Sequence, residues 1–404
     1  MTCTSDTPAT SEAPLSPVTS SSVLSPHIIF LFSLTCALAV GNVYSAQPLL
    51  ESISATLQVS PGTIGLVITA TQAGYAIGLF LLVALGDRFD RKKLVVTHLL
   101  LSVLALIAAA LAESLLALLV AMLLVGLMAV VTQTVVAWAA ILSAPAQRGK
   151  VVGSVTSGIV MGILLARLVS GIIADIAGWR AVYMTSSALM LLITVLLVKV
   201  IPAAGPQNTA TSVAGLLGSV PRLFVTEPLL RQRGALALLI FAAFSMLWSS
   251  MVLPLTAMSL SHTQTGLFGL AGIAGALAAS RSGAWADRGT GQRASGCALV
   301  LLTLSWLPIA FAQASLLLLV IGVIMLDFAV QTVHVINQSM LIAGKPAITS
   351  RLIGAYMCFY AAGSALGAIA ATQLYAHWGW YAVCGGGALV SACALILWYG
   401  TRQS

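Results

Sequence analysis

The chain has 404 residues, of which 59% are hydrophobic and only 7% charged, and its formal net charge is +8. So few charges cannot cover a water-facing surface, which excludes a soluble domain. The basic excess is therefore not read as nucleic-acid binding; where the basic residues fall along the chain carries the meaning instead.

Residues 1–26 are rich in Ser, Thr and Pro and hold no Lys or Arg, which predicts a disordered tail rather than a cleaved signal peptide. Apolar runs long enough to cross a hydrocarbon core follow. Twelve spans are predicted, at 28–50, 62–85, 94–112, 115–142, 150–174, 181–201, 234–258, 266–285, 295–313, 315–343, 351–375 and 380–400. The polar segment 202–233, with Pro202, Gly205, Pro206 and a Ser/Thr cluster, divides them into an N-terminal bundle (27–201) and a C-terminal bundle (234–404), six spans each. Under this count Arg88, Arg91, Lys92, Lys93, Arg148, Lys150, Lys199, Arg222, Arg231, Arg233, Arg288, Arg293, Lys345, Arg351 and Arg402 share one side, and Arg180 stands on the other. The positive-inside rule then puts both termini in the cytoplasm. Five of the six cysteines lie in apolar runs without metal-ligand spacing, so they are read as small membrane-buried side chains.

The two halves repeat each other. Gly86-Asp87-Arg88 returns as Ala286-Asp287-Arg288, Val131-Thr132-Gln133-Thr134-Val135 as Ala329-Val330-Gln331-Thr332-Val333, and Gly178-Trp179 as Gly379-Trp380, at offsets of 198 to 201 residues. Six spans per half give both halves the same orientation, so this is a parallel repeat about an axis normal to the membrane. Gly158, Gly162 and Ala166 form a small-residue ridge in span 5, echoed by Gly363 and Gly367 in span 11, and predict close helix packing.

The most specific chemical signal is on span 10. Asp327, Gln331, His334 and Gln338 are spaced 4, 3 and 4 apart and fall within about 60° of one helical face. Such a stripe cannot face lipid and must meet protein or a water-filled cavity. Asp327 lies roughly 18 Å into its span at 1.5 Å per residue, the place for a proton-coupling carboxylate, with His334 beside it. Arg167 is a second charge inside the membrane. It is expected to reach a carboxylate such as Asp327, carbonyls, an anionic substrate or water, or else to snorkel to the interface. His262 and His377 read as isolated loop residues. No phosphate-cradling motif appears, so the chain is expected to be neither an enzyme nor an ATP-driven pump, and to use no cofactor or metal.

The Gly86–Lys93 phrase resembles the signature loop of the major facilitator superfamily. Asn42-Val43-Tyr44-Ser45-Ala46-Gln47-Pro48 and Gly74-Tyr75-Ala76-Ile77-Gly78 are similar to its bacterial drug:proton antiporter (DHA1-type) group. One departure is in span 5, where Ala166 and Arg167 stand in place of the Gly and Pro that such antiporters often carry. The resemblance implies an all-α membrane protein of twelve transmembrane helices in two pseudo-symmetric six-helix bundles. It also implies that spans 1, 4, 7 and 10 line a cavity, which makes Asn42, Gln133 and Trp248 candidate substrate contacts together with Gln331 and Gln338. Asp87 and, by repeat, Asp287 would form a gating latch with Arg88, Arg91 and Arg288. The implied function is proton-coupled secondary transport of a small, moderately hydrophobic molecule by a monomer, exporting in direction. The alternatives are uptake or uniport of a metabolite or organic anion, or a non-transporting membrane sensor.

Overall fold

The computed structural model describes residues 25–82, 90–143, 148–200, 222–287, 290–342 and 349–402. Asp87, Arg88 and Arg288 lie outside the described residues, and so does the stretch 201–221. Within the described residues the chain makes twelve helical crossings, so residues 25 and 402 lie on one face of the bundle, the terminal face; the opposite face is the distal face.

Span 1 begins at a Ser25 cap as the helix Pro26–Tyr44. It turns at Gln47–Leu49, where Pro48 has no N–H to continue the ladder, and resumes as Leu50–Leu57. Span 2 is Leu66–Leu81. Span 3 is Arg91–Ala110, whose first turn is capped by the Asp90 carboxylate accepting from Lys93 N at 3.0 Å. Span 4 is Leu115–Ala129 followed by Val131–Leu142, and spans 5 and 6 are Arg148–Ala177 and Trp179–Val200. Span 7 starts at Pro228, in Pro228–Ser250, and continues as Val252–Ala257. That is six residues before the expected 234, because a proline suits a helix's first turn and Arg231 and Arg233 ride on its second. Span 8 opens with a Ser261–Gln264 capping box at His262–Leu267, passes a 3₁₀ turn at Phe268–Ala271 and runs on as Gly272–Asp287. Spans 9 and 10 are Gly291–Ala310 and Leu316–Ile342. Spans 11 and 12 share the helical stretch Thr349–Thr401, broken at Gly379.

The repeat seen in the sequence governs the geometry. Gly178 and Gly379 hold φ of 80° and 76°, the left-handed region where a Cβ is strained, and each is the whole turn between two spans. Span 1 packs on span 5 as span 7 packs on span 11; spans 2 and 4 pair as spans 8 and 10 do, and spans 3 and 6 as spans 9 and 12. Between the halves, span 5 meets span 8 and span 2 meets span 11. The small-residue ridge closes the within-half contacts. A Cβ at Gly162 would lie 2.3 Å from the Ala37 carbonyl oxygen, and one at Gly367 would lie 2.2 Å from that of Ala242.

Polarity is arranged for lipid. Leu104, Leu116, Leu192, Leu317 and Ile396 are exposed on the periphery, while Arg167, Asp327, Asn337 and Arg233 are buried. Large apolar side chains on the outside and ionisable ones within are the pattern a hydrocarbon solvent selects. The five described cysteines are unpaired.

Candidate functional site

A cavity of about 280 Å³ lies between the halves. Its walls come from spans 1, 2, 4 and 5 on one side and spans 7, 8, 10 and 11 on the other, and it runs from Arg167 and Asp327 toward the terminal face past His334 and Gln338. Helical phase explains the assembly. On span 10, positions 327, 331, 334 and 338 share one face, and on span 5 positions 156, 160, 163, 164 and 167 do the same.

At the distal end of the cavity sits a charged layer. Arg167 is 1% exposed and Asp327 3% exposed. Trp248 lies between them in a chemical sense: its Nε1 donates to Asp327 Oδ1 at 3.2 Å, and the Arg167 guanidinium carbon lies 3.7 Å from its ring centroid. Tyr44 and Phe244 complete an aromatic surround at 5.2 and 5.6 Å. Arg167 Nε donates to Gln47 Oε1 at 2.6 Å, which fixes the plane of the fork. Its Nη1 and Nη2 are buried and, among the described residues, have no hydrogen-bond partner. Arginine here does not snorkel; stacking on three rings and the nearby carboxylate offset part of the cost of burying it.

An aromatic layer lies on the terminal side of these charges. Tyr44 on span 1 and Tyr360 on span 11 share a hydrogen bond across the two halves. Phe241 packs edge-on against Tyr360 and against His334, with centroids 4.2 and 5.0 Å apart. His334 Nδ1 is 3.1 Å from Tyr356 Oη, and Gln338 Nε2 donates weakly to Met357 Sδ at 3.8 Å. The cross-half hydroxyl pair gives a direct expectation. Tyr44→Phe or Tyr360→Phe should each shift the equilibrium toward separated halves by about 1 kcal/mol, about fivefold in population. A double-mutant cycle on spin-label distances between the halves should show the two changes to be non-additive; simple additivity would rule the bond out as a clasp.

Of the residues singled out from the sequence, Arg167, Gln133, Asp327, Gln331, His334 and Gln338 line this one cavity. Trp248 is a correction: it does not line the cavity but sits behind it, in contact with the lining residues Asp327 and Arg167 and beside a small separate cleft with Gln47 and Met251. Asn42 is a correction: it faces a separate groove between spans 1, 5 and 6, not the central cavity. Val40, Val43 and Tyr44 take the central face of span 1, and position 42 is turned roughly 200° from 40 and 44 at 100° per residue. In the described part of the gating set, Arg91 is buried in the first turn of span 3, and Asp287 is the last residue of span 8. Tyr44, Tyr360 and Gln47 were not selected from the sequence as site residues. Tyr44 and Gln47 stand three apart in the Asn42–Pro48 phrase, and the Pro48 break beside them was the available signal.

The model of the Major Facilitator Superfamily matches residues 30–345. The chain belongs to that superfamily. It is 41% identical over 378 residues to the transporter YgaY of Escherichia coli (strain K12), a match covering 93% of this chain and 96% of that protein. It is 30% identical over 382 residues to the transporter SCO4007 of Streptomyces coelicolor, covering 92% and 86%. In fold it is similar to a bacterial homologue of the human lysosomal transporter Spinster, with a TM-score of 0.74 at 13% identity, covering 93% of this chain and 96% of that one. This superfamily member is thus a multi-pass membrane transporter and not an enzyme.

At the distal face the described contacts seal the two halves together. Asp175, near the end of span 5, accepts from the backbone N–H groups of His262 at 3.0 Å and Thr263 at 2.8 Å, and its Oδ1 lies 2.8 Å from His262 Nδ1. His262 is therefore not an isolated loop residue: it starts the first helix of span 8, and its partner comes from the other half. A carboxylate at a helix start is favourable because the first N–H groups have no intrahelical acceptor. At the repeat-related contact, Gln373 Nε2 and Thr372 Oγ1 donate to the Gly62 carbonyl at 2.9 and 3.3 Å, and Thr69 Oγ1 donates to Ala365 O at 2.9 Å. Asp175→Ala should loosen this seal by about 1 kcal/mol, because the partly exposed donors it frees can bond water instead. In a chain lacking native cysteines but carrying Thr265→Cys, which is buried in the seal, an impermeant maleimide added at the distal side should react faster after Asp175→Ala. An unchanged rate would show that the latch does not hold this state.

Proposed function

We propose that the chain is a proton-coupled secondary transporter of the bacterial inner membrane, with both termini cytoplasmic, working by alternating access between its two six-helix halves. Asp327 carries the proton, and Arg167 and His334 tune it. The cargo is a small, moderately hydrophobic molecule held among Gln133, Gln331, Gln338 and the aromatic side chains of the cavity. The observation that carries this reading is a buried carboxylate facing a buried guanidinium in a cavity between two halves sealed at one end. An ionisable pair kept at that cost inside a membrane marks an ion or substrate pathway. The basic residues of the terminal face support its assignment to the cytoplasm, which makes the distal-sealed form an inward-facing one. Export is the direction carried by the drug:proton antiporters that the chain resembles. The cytoplasmic latch of Asp87, Arg88, Arg91, Asp287 and Arg288 would stabilise the opposite state.

A second reading, uptake of an organic anion, is favoured by one feature: the two terminal nitrogens of Arg167 that no group among the described residues satisfies. Transport assays in proteoliposomes, with a pH gradient imposed in either direction and a substrate panel, test both. Net flux driven by the gradient supports proton coupling, and its sign gives the direction. Flux that ignores the gradient would overturn the role given to Asp327.

A further inference from the structure

The charge balance of the layer beneath the Tyr44–Tyr360 bond restricts the cargo. With Asp327 ionised, the layer holds one positive and one negative charge. The titratable groups that face Asp327 are Arg167 from span 5, Tyr44 from span 1 and, through it, Tyr360 from span 11; His334 lies two turns along on span 10. Trp248 from span 7 offers only an N–H, and span 8 presents Gly272, whose Cβ position is 3.6 Å from Asp327 Oδ2. A proton arriving on Asp327 therefore leaves Arg167 as a lone buried cation. Leaving one partner of a buried pair uncompensated is strongly unfavourable. A second anion removes that imbalance, whereas a neutral cargo does not and a cationic one worsens it.

The fork is prepared for such a group. Gln47 occupies Nε, so the end-on pair Nη1 and Nη2 remains, and both are buried without a partner among the described residues. Two parallel N–H donors match a carboxylate. The remaining wall combines apolar and aromatic side chains, Ile163, Leu164, Phe241 and Phe244 among them, with the amides of Gln133, Gln331 and Gln338. A volume of about 280 Å³ equals roughly nine waters at about 30 Å³ each, the size of a small aromatic or branched aliphatic acid.

We infer that the cargo is a small monocarboxylate seated on Arg167 Nη1 and Nη2, and that it occupies the layer together with a proton on Asp327. This rests on the second reading above and on the proton role given there to Asp327. Anion and proton then move as a neutral pair in the same direction. Exchange of one for the other would leave the layer charged at each turn.

The test is binding to the full chain in lipid nanodiscs, followed by calorimetry. The probes are benzoate and a set of branched aliphatic carboxylates, each compared with its neutral amide and its amine, at pH values where the acid is ionised. The wild type should prefer the carboxylates and bind them up to about tenfold more tightly per unit fall in pH, the limit for one linked proton. Asp327→Asn, permanently neutral, should bind them at one affinity whatever the pH. Arg167→Gln should lose the preference over the amide while still binding the amide. Arg167→Lys, which keeps the charge but not the fork, should retain a reduced preference and shows whether loss in the Gln variant is more than misfolding. If no carboxylate is preferred over its amide, the anion inference is overturned, and a pH dependence removed by Asp327→Asn would still leave the proton role standing. If carboxylate binding depends on Arg167 but keeps its pH dependence in Asp327→Asn, the proton role falls and joint occupancy falls with it. Preference for the amines overturns the inference outright.

Discussion

Asp327→Asn is expected to abolish accumulation driven by a pH gradient while leaving exchange of substrate for substrate intact. One pH unit across the membrane is worth about 1.36 kcal/mol per coupled proton, so a one-proton wild-type carrier sustains about a tenfold concentration ratio. The variant should relax to equal concentrations on both sides. The substitution is nearly isosteric, and the contact from Trp248 Nε1 at 3.2 Å can still be accepted by the amide oxygen. Packing is thereby held constant while the proton-carrying capacity is removed. Accumulation in proteoliposomes under an imposed gradient, read beside counterflow, separates the outcomes. A variant that still accumulates cargo would move the coupling to another group, with His334 the next to be tested.

Gly162→Leu is expected to be among the most damaging single changes in the chain. Its Cβ would lie 2.3 Å from the Ala37 carbonyl oxygen and 2.7 Å from Ala37 Cα, which are backbone atoms of span 1 that cannot rotate away. Separating spans 1 and 5 to admit the side chain would also break the Ser33 Oγ bond to the Ser154 carbonyl, 3.0 Å long, and disturb Arg167 one and a half turns along the same helix. Overpacking costs of about 1–3 kcal/mol or more apply, read as a lower unfolding temperature and reduced yield in detergent. Gly354→Ala is the control. No atom lies within 4 Å of the Cβ it would add, and alanine is better by up to about 1 kcal/mol in a helix interior, so that variant should unfold no lower than the wild type. Equal effects from the two would show that the ridge is not a packing surface.

Much of the architecture could be read before the structure because it depends on short-range regularities. Spans appear as runs of apolar residues, the repeat as matched phrases, and the ridge as glycines four apart. The stripe on span 10 was legible for the same reason: helical period alone places Asp327, Gln331, His334 and Gln338 on one face. What escaped depends on partners far away along the chain. Gln47 and Arg167 are 120 positions apart and Tyr44 and Tyr360 are 316 apart, and no periodicity announces such pairs. Asn42 shows the opposite error. It is polar and sits in the motif-bearing span, yet its phase turns it away from the cavity that Val40 and Tyr44 line. Asp175 and His262 each looked unremarkable alone, since a carboxylate at the end of one span and a histidine at the start of another gain meaning only when the halves are folded together.

Gly178 has a consequence for how motion could pass through the molecule. Because this single residue is the whole turn from span 5 to span 6, the distal end of span 5 has no slack. Asp175 and Arg167 stand eight residues apart on one uninterrupted helix, roughly 12 Å at 1.5 Å per residue. One is tied to the start of span 8, the other faces Asp327. A tilt of span 5 that pulls Asp175 from His262 must also carry Arg167 relative to Asp327, as two marks on one rod move together. Opening the distal side and changing the charge environment of the carboxylate would then be a single mechanical event, with no separate signal needed to keep them in step.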